Sequence, residues 1–188
     1  VGGSPTEAWV DRASLEYQFP AILKDWTKND FIQEWVRGRA ALNIKKSANS
    51  QQRHPYEPCY LYESGIRPLE QYPIRGVIWY QGESNVGKEK TYAERLRTMA
   101  GLWRKEWGQG ELPFYLVEIA PYDYGEGVSG ALFREAQFRA ASLIPNSGMV
   151  CTNDLVYAYE KPQIHPCQKE EVGKRLAYLA LNKTYQYG

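Results

Sequence analysis

Three short clusters in the 188-residue chain hold side chains suited to acyl chemistry. Gln81-Gly82-Glu83-Ser84-Asn85 sets four polar side chains directly after the apolar run Gly76-Val77-Ile78-Trp79-Tyr80. A carboxamide in that place can donate toward a developing oxyanion, and Gly82 lets the backbone come close. A polar turn that satisfies its own backbone groups would have the same composition. His165 lies in Gln163-Ile164-His165-Pro166 and is one of two histidines, the other being His54. An imidazole titrating near neutrality is the usual general base for a hydroxyl nucleophile; a surface or helix-capping histidine is the plainer reading. Gly2-Gly3-Ser4 can offer backbone N–H groups to an anion at a helix start, or form an ordinary strand–helix turn. Ser4 is the nearest hydroxyl, but Pro5 follows it and no strand-turn-helix serine motif surrounds it. Ser64 and Ser84 are weaker candidates.

Elements must bring these clusters together. Gly76 to Tyr80 reads as a buried parallel strand, as do Phe114 to Ile119 and Gly148 to Thr152. Between and after them the spacing predicts helices over Thr91–Trp107, Leu132–Leu143 and Lys169–Leu181. The first carries Tyr92, Leu96, Met99, Trp103 and Trp107 on one face and ends at Gly108. Alternation of this kind predicts a parallel sheet with helices on both faces and a site beyond the carboxyl ends of its strands. The glycine turn, the loop after Tyr80 and the loop from Asp154 to His165 all fall at those ends. Upstream, Val1 to Trp9 reads as a strand end turning into a helix, with Ser4 and Glu7 as a capping box. Residues 11–52 are mostly helical in character, and Leu61 to Leu69 forms a short helix stopped near Pro68.

Composition narrows the partners. Lys and Arg total 23 against 22 Asp and Glu, with no basic stripe, so nucleic acid is not expected. No apolar run approaches the roughly 20 residues of a membrane span. Three cysteines without a C-x-x-C pair and two histidines leave no structural zinc pattern, and at most one disulfide. Aromatic residues reach 14%, which suits walls for carbohydrate rings and equally suits core filling.

Taken together, Gly2-Gly3-Ser4-Pro5-Thr6-Glu7-Ala8-Trp9, Gly76 through Asn85 and Ile164-His165-Pro166 resemble the sialate O-acetylesterase family of SGNH hydrolases. Arg134-Glu135-Ala136-Gln137 and Gly173-Lys174-Arg175-Leu176-Ala177 fit that family's later helices. The resemblance runs along nearly the whole chain, and Trp79-Tyr80-Gln81-Gly82-Glu83-Ser84-Asn85 is its specific part. It implies an α/β fold with a flavodoxin-like three-layer parallel sheet: one domain over residues 1–188, N-terminally incomplete, with a helical insertion over residues 11–73.

The resemblance also implies a serine esterase that removes O-acetyl groups from sugars, sialic acid or xylan-type, without cofactor or metal. The family's serine sits in an early Gly-Gln-Ser-Asn-type motif absent from these residues, so a missing N-terminal segment is expected to supply it. Carried onto this sequence, His165 is the base, Gln81 the oxyanion-hole side chain, and Gly2 and Gly3 the glycine block. Gly82, Glu83 and Asn85 support the loop. The positions where relatives carry the triad acid hold Pro162 and Gln163; Asp154, Glu160 or a backbone carbonyl remains to fix the imidazole. The chain alone is then expected to be inactive, and bacterial members of the family are often secreted or periplasmic. A catalytically inactive sugar-binding module that kept the pocket is the alternative, and a structural or interaction fragment a third.

Overall fold

The first third of the chain is short helices joined by irregular segments: α1 (Arg12–Gln18), α2 (Pro20–Leu23) and α3 (Glu34–Lys46). Asp11 caps α1 by accepting the Ser14 N–H, and Pro20 opens α2 where its missing N–H costs nothing. Val36 and Ala40 bury one side of α3, whereas Phe31 precedes the helix and stays half exposed. A π-helical turn over Tyr62–Ile66 and a 3-10 turn over Arg67–Leu69 stand where a single short helix is predicted. This computed structural model describes residues 1–125, 127, 129–160 and 162–187.

From Gly76 onward strands and helices alternate as the apolar pattern predicts. β1 (Val77–Trp79), β2 (Phe114–Val117) and β3 (Ser147–Val150) are parallel, in the order β1-β2-β3. The connecting helices are α4 (Glu89–Trp107) and α5 (Ser129–Leu143), and α6 (Lys169–Lys183) closes the fold. α4 stops at Gly108, whose left-handed φ of 60° lets its N–H return to Arg104 O.

The two faces of the sheet pack differently. Trp79, Phe114 and Leu116 join Leu96, Met99 and Trp103 of α4 and Phe133 and Ala140 of α5 in the larger core. Trp9 closes its edge: its indole lies 5.6 Å from that of Trp79, and its carbonyl accepts the Trp103 indole N–H. Tyr115, Val117 and Val150 face the other way, onto Val172 and Leu176 of α6. Ile78 points to that second face as well, yet α6 covers only β2 and β3, and Ile78 is 65% exposed.

The start of the chain departs from expectation. Val1 is not in a strand, and Gly2-Gly3 form a turn into a one-turn 3-10 helix, Thr6–Trp9. The capping box does not form: Ser4 Oγ donates to Val1 O, and Glu7 is buried in an ion pair instead. Burial of a charged partner outweighs a surface cap of about 1 kcal/mol.

Candidate active site

Gln81 to Asn85 turns away from the end of β1 through a 3-10 turn over Glu83–Asn85. Gly82 fixes that path. A Cβ there would stand 2.6 Å from Phe133 and 2.7 Å from Ile119, closer than any real contact. Gln137 of α5 clamps the same place from behind: its Nε2 reaches Gln81 O and Val117 O, each at 3.2 Å, and its Oε1 accepts the Ile119 N–H at 2.8 Å. One buried carboxamide thus registers the exits of β1 and β2. Its phase is legible beside Phe133, Ala136 and Ala140, which bury the same side of α5.

A buried polar network joins this loop to the start of the chain. Asn85 Oδ1 accepts the Thr6 N–H at 2.9 Å and the Gln81 amide at 2.7 Å, while Asn85 Nδ2 donates to Glu7 at 3.0 Å. The Thr6 hydroxyl reaches Gln81 Oε1 at 2.8 Å, and Tyr92 OH reaches the same oxygen at 3.2 Å. Glu7 pairs with Arg95 at 3.3 Å, the two side chains being 1% and 2% exposed. Arg95 sits on the apolar face of α4 between Tyr92 and Leu96, where a guanidinium needs a partner. Glu7 Oε1 and Arg95 Nε have none among the described residues.

This network seats the glycine turn. Ser84 Oγ donates to Gly3 O at 2.7 Å, and Tyr56 OH donates to Gly2 O at 3.0 Å. Gly3 has a φ of 72°, and a side chain there would collide with the Tyr56 hydroxyl. Both glycines are exposed, and among the described residues their N–H groups have no partner. Gln81 is differently placed: its two Nε2 protons are engaged by Ser4 O at 3.0 Å and by Asn85. Ser4 is itself buried and accepts the Trp9 indole N–H at 3.0 Å. His54, the second histidine, is buried behind the turn. Its Nδ1 accepts the Tyr56 N–H, its Nε2 lies 3.0 Å from Asn43, and burial lowers its pKa.

His165 is exposed on the loop between β3 and α6. The half-buried Glu83 lies within its field. Burial raises the Glu83 carboxyl above its ordinary range, opposed by nearby backbone N–H groups and by the charges of His165 and Lys169. Lys169 Nζ sits 4.7 Å above the Tyr80 ring and 3.5 Å from its hydroxyl. Burial and Glu83 push the Tyr80 phenol up to about 12. The two acids expected beside His165 are engaged elsewhere. Asp154 is held bidentately by Arg175, at 2.8 and 2.5 Å, and Glu160 accepts the N–H groups of Tyr157 and Cys167 at 2.9 and 2.7 Å.

After β2, Tyr122, Tyr124, Asp123 and Arg134 line a recess of about 240 Å³. Burial and then the charge of Glu83 raise the Tyr124 phenol. Arg134 also stands 3.8 Å from Glu118, which accepts the Thr152 N–H at 3.2 Å. Among the described residues no group of three or more His, Cys, Asp and Glu could hold a metal, and no helix is long and apolar enough to cross a membrane.

The sequence profile described as "Carbohydrate esterase, sialic acid-specific acetylesterase" matches residues 30–182. The chain belongs to that family. Sialate O-acetylesterases of Rattus norvegicus and Homo sapiens are 27% and 26% identical to it, over 98% and 92% of its length. A crystal structure of a carbohydrate acetylesterase from Xanthomonas citri superposes with a TM-score of 0.71 at 31% identity, covering 98% of this chain. The chain spans 40% and 38% of the two curated relatives and 36% of the solved one. Within this member of the acetylesterase family, the loop and the glycine turn meet as the motifs imply. Of the residues that hold them together, Thr6 and Gln137 lie within the quoted motifs without an assigned role, and Arg95 lies outside them.

Proposed function

We propose that the chain forms the histidine and oxyanion framework of a carbohydrate O-acetylesterase, built on a flavodoxin-like SGNH sheet, with a serine nucleophile from sequence outside these 188 residues. The helices over residues 11–73 are read as an insertion into that one domain. What supports the reading is that Ser84 ties Gly3 O to the loop carrying half-buried Glu83, whose carboxyl feels the charge of exposed His165 beyond the strand ends.

In this mechanism the serine attacks the acetyl carbonyl while His165 takes its proton. The oxyanion lies against the N–H groups of Gly2 and Gly3 and of the serine itself. Gln81 and Asn85 hold the turn, and Gln81 contributes a donor by exchanging its bond to Ser4 O for one to the oxyanion. Collapse of the tetrahedral species breaks the ester bond, and His165 hands its proton to the departing sugar hydroxyl. Water then attacks the acetyl-serine, His165 accepts the water proton and returns it to the serine, and acetate leaves. Glu83 is the acid assigned to the imidazolium, since Asp154 and Glu160 are already engaged.

Acetate release from an aryl acetate by the full-length protein tests this. His165→Ala should abolish turnover, and unchanged turnover would overturn the assignment. The 188-residue chain assayed alone should show none. Saturable release by it would move the nucleophile to Ser4, and sugar binding without release by the full-length protein would favour an inactive binding module.

A further inference from the structure

Tyr157 and Tyr159 stack with ring centroids 5.4 Å apart and planes 14° from parallel, yet they remain 46% and 74% exposed. The stack is braced from within. Buried Glu160 takes the N–H of Tyr157 with one oxygen and that of Cys167 with the other, so the loop is folded back on itself. The Tyr159 hydroxyl lies 4.0 Å from the sulfur of Cys167. Cys167 follows His165 by two positions, a backbone reach of at most about 7 Å. A pre-ordered aromatic stack therefore stands on the same loop as the histidine and close to it.

Two nearly parallel stacked rings present an apolar, electron-rich outer face on which the C–H face of a pyranose packs. Their order is imposed by the Glu160 brace, so little side-chain freedom is left to lose on binding. We propose that Tyr157 and Tyr159 form a subsite for the sugar ring adjoining the acetylated one, so that the substrate is an O-acetylated oligosaccharide or polysaccharide read as a chain. This rests on the esterase reading above and specifies its substrate class. A lone acetylated monosaccharide would leave the platform empty.

The test compares the full-length protein with its Tyr157→Ala/Tyr159→Ala and Tyr159→Phe variants on O-acetylated xylotetraose, an O-acetylated sialyl trisaccharide and an aryl acetate. The double variant should raise KM about tenfold for at least one oligosaccharide, with kcat little changed. Aryl acetate turnover should hold, and Tyr159→Phe should keep the wild-type KM. An unchanged KM for both oligosaccharides, or an equal loss on the aryl acetate, overturns the subsite. Titration of the deacetylated oligosaccharides, followed by tyrosine fluorescence, separates this from failure of the esterase reading. If no variant releases acetate, binding that weakens about tenfold in the double variant still supports the subsite. Equal binding by both proteins, or none by either, overturns it.

Discussion

Thr6 donates its backbone N–H to Asn85 Oδ1 at 2.9 Å across 79 positions of sequence. That bond and its neighbours turn two separate motifs into one rigid corner, because Asn85 also receives Gln81 and gives to Glu7. The geometry of the proposed oxyanion site therefore depends on a buried network and not on the loop alone.

The first expectation concerns the ion pair beneath that corner. Arg95→Met should lower unfolding stability by about 3–5 kcal/mol, since it strands the Glu7 carboxylate in the core. Glu7→Gln added to Arg95→Met should recover part of the loss, because glutamine keeps an acceptor for Asn85 without the stranded charge. Urea unfolding midpoints of the single and double variants check this.

Gly82→Ala places a methyl against Phe133 and Ile119, with no flexible side-chain end to give way. A loss of about 1–3 kcal/mol is expected from overpacking, read by thermal or urea unfolding. Gly101→Ala, where nothing lies within 4 Å and the backbone is helical, should be neutral or stabilising in the same assay.

Glu83 sets a pH dependence whose sign is fixed by its environment. Its carboxyl is raised on folding, chiefly by burial, so the folded state holds that proton more tightly than the unfolded state. Its contribution to stability is present at acid pH. It falls as pH rises from the ordinary carboxylate value of about 4.3 through the raised one. Glu83→Gln should therefore unfold later than wild type at pH 7, with the gain shrinking toward pH 4.

His54 works in the opposite direction. Burial depresses its pKa below about 6.5, so stability is present above that pH and lost as pH falls through the depressed value. His54→Gln should flatten the acid slope of the unfolding midpoint near pH 6. Because Tyr56 bonds both His54 and Gly2 O, acid should also loosen the glycine turn. Backbone amide exchange at Gly2 and Gly3 between pH 5 and 8 reports it.

Much of the fold was legible because its signals are periodic. The apolar runs marked β1, β2 and β3, and the stripe from Tyr92 to Trp103 marked α4. The motifs marked Gln81 to Asn85 and Gly2-Gly3, which do meet. What stayed hidden was pairing at long range. Glu7 has the spacing of a cap but the burial of a core ion, and nothing local names Arg95, 88 positions away, as its partner. Asp154 and Glu160 lie near enough in sequence to His165 to suggest an acid, yet Arg175 and two backbone N–H groups engage them first. Glu83, the acid proposed in their place, lies on a different loop, and its carboxyl feels the charge of His165.

Ile78 leaves one corner of the described sheet uncovered. β1 is the edge of the described sheet, and its outer row of backbone groups lies beside an isoleucine that α6 does not reach. Such an edge is adhesive toward any other strand, including that of a second copy. Concentration, more than temperature, should set the limit on keeping the chain dispersed. A single charge placed there, as in Ile78→Lys, would turn the corner from adhesive to repellent.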